Sequence, residues 1–453
     1  MAELLDRAGL AAGLDSAGVA WRELSDDERG AFAIDGVVPS AICWPASAEE
    51  AARALAAADR LGLKVAPRGG GTKVGLGNPP RGCDLILSTE RLDQIVDYAP
   101  ANLTVTVQAG VSLGRLQEHL AAARQFLPID PPHADWATIG GVLAANANGP
   151  HRLGYGSARD LVIGTRAVTT TGKVVKAGGR VVKNVAGYDL NKLYIGSLGT
   201  LVVLVEAGFK IAPKPEAQTT VVGRFASLEA AGEASRAVLH SPLLPTALDL
   251  FNATAAERLG VAGLPDGRGG YLLAALGTAP GAARLRQRDD FARLFSGAGA
   301  TSTSEIDDSD GFWTRIGAAP GESLGSGALR TRATVAIADV PAAARLLERT
   351  GQTTGAAPAI IARAGTGALY AGWNLPDTML NGKTTNVAAA LAQARRQLQN
   401  LGGALIVEEC PRGLKDHLDV WGDIGPALAI MRRLKSALDP RDTLNPGRFV
   451  GGI

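Results

Sequence analysis

Cysteine, histidine and net charge are all in short supply in this sequence, and each shortage removes a class of chemistry. The three cysteines, Cys43, Cys83 and Cys410, form no C-x-x-C pair, so neither a disulfide framework nor a protein-bound iron–sulfur cluster is readable. Buried reduced thiols in a cytoplasmic protein are the expectation. The five histidines, His119, His133, His151, His240 and His417, are isolated, and without H-x-x-H, H-x-H or H-E-x-x-H spacing no metal site is expected. Lys and Arg number 46 against 44 Asp and Glu, a formal charge of +2, which gives no electrostatic reason to expect nucleic acid or an anionic membrane as partner. No apolar run reaches the roughly 18 residues of a membrane span, and residues 1–7 lead into no apolar core. Membrane association is expected only indirectly, through a partner. No G-x-G-x-x-G follows a strand. Gly382-Lys383-Thr384 resembles the end of a P-loop, but Asp377 stands where the first glycine belongs, and the segment reads as a polar turn.

Glycine is abundant: 57 of 453 residues, about one in eight where roughly one in fourteen is usual. The surplus is densest in two segments, Arg68-Gly69-Gly70-Gly71-Thr72 and Thr138-Ile139-Gly140-Gly141, followed by Asn146-Ala147-Asn148-Gly149 and Gly154-Tyr155-Gly156. Consecutive glycines can aim successive backbone N–H groups into one concavity, a nest for phosphate oxygens. Two nests suit a pyrophosphate, although Gly-rich turns also simply connect strands.

The surrounding pattern predicts an amphipathic helical lead-in over residues 1–36. Ser47 and Glu50 then form a capping-box signature for a helix to about Leu61, between two short strands. The second strand, 63–66, runs directly into the first glycine cluster. Residues 84–87 and 103–107 read as further strands, Ser112 opens a helix, and 137–212 reads as mostly strand and turn. Pro213-Lys214-Pro215 marks a boundary. Strands and helices then alternate to about residue 414, predicting an α+β domain with an antiparallel sheet, and 415–453 forms a separate tail.

The order of these residues resembles the FAD-binding domain of the vanillyl-alcohol oxidase (PCMH-type) flavoproteins over residues 37–215. The resemblance runs through Pro67 to Thr72, Pro131-Pro132, the 137–141 segment, Asn146, Gly149, Tyr155-Gly156, Asp160, and Gly187-Tyr188-Asp189 through Gly199-Thr200-Leu201. The tail Leu444-Asn445-Pro446-Gly447-Arg448-Phe449 is similar to the C-terminal segment of the 2-hydroxy-acid dehydrogenase branch. Within that branch, Val181-Val182-Lys183-Asn184-Val185-Ala186-Gly187 and Leu418-Asp419-Val420-Trp421-Gly422 look most like the FAD-binding (E) subunits of bacterial glycolate oxidases. The implied fold is α+β: a PCMH-type FAD-binding domain of two α/β subdomains, a cap or substrate domain over 216–414 with an antiparallel sheet, and a 415–453 segment returning to the FAD domain.

The resemblance implies that Pro67, Arg68, Gly69, Gly70, Gly71 and Thr72, with Thr138, Ile139, Gly140 and Gly141, cradle the pyrophosphate. It sets Pro132, Asn146 and Gly149 near the flavin or ribityl chain and Gly199 to Val203 at the adenine, and it counts Tyr155 and Gly156 among the cofactor-binding residues. Gly71 occupies the position where covalent members often carry histidine, so non-covalent FAD is expected. Oxidation of a 2-hydroxy acid needs a hydride acceptor, a base for the hydroxyl proton and a cation for the carboxylate. Arg332 is the first candidate cation, with Arg315 and Arg363 behind it. The Glu-His-Gly run of catalytic relatives is replaced by Val407-Glu408-Glu409-Cys410-Pro411-Arg412-Gly413, which leaves the base unassigned. The implied function is an FAD subunit of a glycolate or 2-hydroxy-acid oxidase complex, acting on a small 2-hydroxy acid beside a second flavoprotein subunit and an iron–sulfur subunit. A free-standing FAD-dependent oxidoreductase and a flavin-binding subunit without turnover are the alternatives.

Overall fold

The computed structural model describes residues 7–179, 187–260, 270–322, 324, 329–375 and 384–453. The run Val181 to Ala186 and the Gly382-Lys383 pair fall outside the described residues. Ser47 starts the helix Ala48–Arg60 by accepting the Glu50 N–H at 3.1 Å, and the Glu50 carboxylate accepts the Ala46 N–H at 2.9 Å. The alanine face of this helix packs on the parallel strands Ala41–Trp44, Leu85–Ser88 and Val65–Arg68. The lead-in is not all helical. Between the helices Arg7–Ser16 and Asp26–Phe32 lies a strand, Ala20–Glu23, paired antiparallel with Ala41–Trp44. Val19 and Trp21, two residues apart, bring one side of this segment onto the sheet core.

A second sheet has five antiparallel strands in the order Ile95–Ala99, Thr104–Gln108, Val203–Lys210, Val162–Val168 and Val174–Gly178. The region read as mostly strand and turn also contains the helices Ile139–Ala145, Arg152–Tyr155, Ala158–Leu161 and Leu190–Tyr194. They are too short for a 3.6-residue period to emerge from an apolar run. Two of them announce themselves only through their caps: Thr138 accepts the Gly141 N–H, and Ser157 forms a capping box with Asp160.

Apart from the short pair Gln125–Phe126 and Ala212–Pro213, the remaining strands form one eight-stranded antiparallel sheet in the order Ser302–Ile306, Thr219–Phe225, Tyr271–Gly277, Ala247–Asn252, Ala359–Arg363, Ala368–Trp373, Leu329–Thr334 and Ala404–Glu409. Side chains alternate across it. Leu248 and Leu250 face the helices Leu228–Leu239, Ala282–Gly297, Val340–Thr354 and Thr384–Asn400, whereas Ala247 and Phe251 face Ala253–Leu259 and Ser309–Ala318. On the strand Leu329–Thr334, Leu329 and Ala333 belong to the four-helix side. Arg332 therefore projects to the opposite face, beside its cross-strand partner Tyr370.

After the helix Ala427–Leu438 the chain returns to the first sheet, where Leu444 bridges Val65 in parallel. The Val65 N–H donates to the Thr443 carbonyl and the Asn445 N–H to the Val65 carbonyl, at 2.8 and 2.9 Å. Buried Lys435 ties this return down by donating to the carbonyls of Thr200 and Leu444 and to Asp439. No helix of the described residues is long and apolar enough to cross a membrane.

Candidate active site

The strand Val65–Arg68 ends at the glycine cluster, and the loop that follows lines a channel running between the first two sheets and on to the eight-stranded sheet. Among the described residues, the backbone N–H groups of Gly69 through Lys73 have no hydrogen-bond partner. Five successive unbonded donors therefore sit on a loop that lines the channel. The packing explains the glycines. A Cβ on Gly69 would lie 2.0 Å from the Thr138 hydroxyl, and one on Gly70 would lie 1.7 Å from the Trp136 carbonyl oxygen. Gly71 has φ +74°, a conformation that L side chains rarely adopt.

The second glycine segment is built differently from the nest its sequence suggests. It is the first turn of the helix Ile139–Ala145, and its donors are already used. Ile139 N–H bonds the Val111 carbonyl at 2.9 Å, Gly140 N–H the Ala109 carbonyl at 2.8 Å, and Gly141 N–H the Thr138 hydroxyl at 3.3 Å. Gly140 is needed for close approach, since its Cβ would fall 2.9 Å from that of Ala109. Gly141 and Thr138 still form channel wall, while Ile139 points into the core.

Three stations follow one another along the channel. At one end Gly199, Val202 and Val203 lie opposite Gly140 and Gly141. In the middle, Pro67, Arg68, Gly69, Gly70, Gly71 and Thr72 face Thr138, Asn445 and Arg448. The other end is closed by Lys73, Pro132, Asn148, Arg332, Tyr370 and Glu408. The C-terminal return completes the middle station. Asn445 donates to the Leu198 carbonyl at 2.7 Å, Arg448 donates to the carbonyls of Val74 and Leu76, and both Asn445 Oδ1 and Arg448 Nε are buried with no partner. Free amides, two orphaned buried polar atoms and an apolar wall including Ile34 and Ile86 suit an elongated ligand carrying phosphate.

Other candidate residues lie elsewhere. Asn146 ends the helix Ile139–Ala145 in a left-handed conformation, φ +48°. Gly149 is buried against Asp130, and Gly156, φ +84°, turns the chain beside Asp160. None of the three is channel wall. Tyr155 and Arg315 line a separate cleft of about 760 Å³, which also contains Trp136, Lys214 and the pair His151–Asp130, 2.6 Å apart. Arg363 is buried in the large sheet, bonded to Asp249 on the neighbouring strand and to the Ile316 carbonyl. Its charge is committed to the core.

At the Arg332 end the strand Ala404–Glu409 carries a β-bulge: Arg330 faces Glu409 and Thr331 faces Val407, leaving Glu408 as the extra residue. Its carboxylate lies 3.4 Å from Arg332 Nε and 3.9 Å from Lys73 Nζ and is 8% exposed. Burial pushes the Glu408 carboxyl up, but Lys73, Arg332 and Arg330 together hold it below the usual range. Burial likewise opposes the Arg332 charge, and Glu408 with Tyr370 outweighs it, raising the guanidinium above its ordinary value. The sequence reading missed Lys73, Tyr370 and Glu408. Lys73 directly follows the glycine cluster, whereas Tyr370 and Glu408 reach the site only through strand pairing.

No histidine or cysteine lines these three stations. Burial raises the Cys43 and Cys83 thiols to about 12 and Cys410 to about 11. The thiolate is the reactive form, so native protein is expected to resist iodoacetamide at pH 8, with three alkylations per chain appearing in its mass spectrum only after unfolding.

Residues 39–178 match the FAD binding domain family, and residues 214–371 with 423–449 match the C-terminal domain of FAD linked oxidases. The structure superimposes on p-cresol methylhydroxylase with a TM-score of 0.79 at 15% identity, over 98% of this chain and 97% of that one. The fold is that of the PCMH-type flavoproteins. Its cofactor is FAD. Glycolate oxidase subunit GlcE of Escherichia coli (strain K12) is 41% identical over 167 residues, 37% of this chain and 47% of that one. Subunit GlcD of Bacillus subtilis (strain 168) is 34% identical over 215 residues, 48% and 46% of the two chains. D-lactate dehydrogenase of Archaeoglobus fulgidus is 34% identical over 214 residues, 47% of each. The flavoprotein thus spans about half the length of the curated relatives it matches.

Proposed function

We propose that this flavoprotein is the FAD-carrying subunit of an oxidoreductase complex that oxidises a small 2-hydroxy acid, glycolate being the first candidate. The observation that carries this reading is a half-buried guanidinium, Arg332, at one end of the channel, in a chain whose relatives are named for glycolate and D-lactate. The free amides of Gly69 to Lys73 would bind the pyrophosphate, Gly199 to Val203 would border the adenine, and Pro132 would border the flavin ring. Bound FAD supplies the two-electron acceptor for the hydride. Arg332 would hold the substrate carboxylate, kept in place by its hydrogen bond with Tyr370. Glu408 is the nearest carboxylate that could receive the hydroxyl proton. With no cluster-binding cysteines readable in the sequence, electrons would leave through an iron–sulfur subunit, beside a second flavoprotein subunit.

The test uses the purified chain. Non-covalent FAD is expected to be released completely by acid precipitation, and flavin retained in the pellet would show a covalent bond. Anaerobic glycolate or D-lactate is expected to bleach the flavin absorbance. A bound flavin that responds to neither would instead mark a flavin-binding subunit without turnover of its own.

A further inference from the structure

We propose that Glu408 is a built-in rival of the substrate carboxylate for Arg332, and that the substrate, by taking over Arg332, frees Glu408 to accept the hydroxyl proton. This rests on the reading above. The bulge is the first argument. An in-register strand would place residue 408 in the ladder, whereas here the extra residue is unpaired and its carboxylate reaches Arg332 and Lys73. The second argument is the looseness of those contacts. At 3.4 and 3.9 Å they exceed the roughly 2.7–2.9 Å of a charge-assisted hydrogen bond. Buried Lys415 provides the contrast: it donates to both Asp35 carboxylate oxygens and to the carbonyls of Gly75 and Gly77, all between 2.8 and 2.9 Å. That ion pair is built to stay closed, and the Glu408 contacts are built to open.

Charge supplies the third argument. Lys73, Arg330 and Arg332 stand against Glu408 and Glu409, which leaves one positive charge for one incoming carboxylate. Once that carboxylate shares Arg332, Glu408 has a like charge beside it and less of its cation, and both effects raise its affinity for a proton. In the step itself the substrate O–H bond breaks and its proton passes to a Glu408 oxygen. The carbinol C–H bond breaks and its electron pair leaves as hydride to oxidised flavin, while the new C=O bond forms. The hydroxy acid loses two electrons and the flavin gains them.

The experiment compares the flavin-loaded chain with its Glu408→Gln variant. Acetate, an unreactive monocarboxylate, is titrated against the flavin absorbance, with acetamide as its neutral counterpart. Removing the rival charge is expected to tighten acetate about tenfold and to leave acetamide unchanged. Stopped-flow reduction by glycolate is expected to slow by ~10²–10⁴-fold, the usual contribution of a general base. A merely structural role would weaken binding and turnover together. Equal acetate affinity in the two proteins, or an unchanged reduction rate, overturns the proposal while reduction of wild-type flavin by glycolate keeps the functional reading. Wild-type flavin that no hydroxy acid reduces overturns that reading and this one with it. Glu408→Ala carries the same expectations should the amide fail to pack.

Discussion

Gly70→Ala is expected to yield a chain purified with about a tenth or less of the wild-type FAD content, measured as the ratio of flavin to protein absorbance. The reason is steric. Gly70 is not in the positive-φ region, so alanine is compatible with its backbone, but the added methyl would lie 1.7 Å from the Trp136 carbonyl oxygen. A backbone carbonyl cannot swing aside as a side chain can, so the loop must lift away from the 136–138 segment. Lifting it displaces the five free amides from Gly69 to Lys73, on the loop that lines the channel. Gly413→Ala is the matching control, because nothing lies within 4 Å of its missing Cβ, and its FAD content is expected to stay at the wild-type level.

The second large effect is expected at Arg332. Arg332→Met should keep its flavin and its visible spectrum, yet slow reduction by glycolate about a thousandfold in stopped-flow. That figure combines a hydrogen bond to a charged group, roughly 1.5–3 kcal/mol, with the ~10² lost when a substrate is misplaced by about 1 Å. Arg332→Lys retains the charge without the planar fork and should recover only part of the rate. Arg315→Met, on the wall of the separate cleft, should reduce at the wild-type rate. A normal rate in Arg332→Met would remove the carboxylate-binding role from this residue.

These two sites were legible in the sequence to different degrees. The first glycine cluster, its position after a strand and its place on the channel could all be read from local order. Conformational freedom explained only part of the glycine surplus, however. It applies at Gly71 and Gly199, whereas Gly69, Gly70, Gly140 and Gly149 are small because another segment presses on them. Such pressure comes from residues distant in the chain, which local sequence does not display. The Thr138 segment shows the same limit. T-I-G-G can open a helix or make a turn, and the carbonyls of Ala109 and Val111 that consume its amides belong to another part of the fold. Arg332 stood out because the strand pattern and the family resemblance both pointed to it. Glu408 did not, since a bulge arises from the registers of two strands rather than from either alone. An antiparallel sheet in this domain was expected from strands alternating with helices, though not its eight strands, while the strand Ala20–Glu23, with only one core-facing aromatic, was hidden in a charged lead-in.

The return segment makes the channel a joint product of two distant parts of the chain. The middle of the channel draws its wall both from the glycine cluster and from Asn445 and Arg448, which lie far from it along the chain. The first sheet likewise waits for Thr443 to Asn445 before the backbone of Val65 gains these partners. A ligand held in that station would touch both segments, and is therefore expected to stabilise the folded chain as its concentration rises above its dissociation constant.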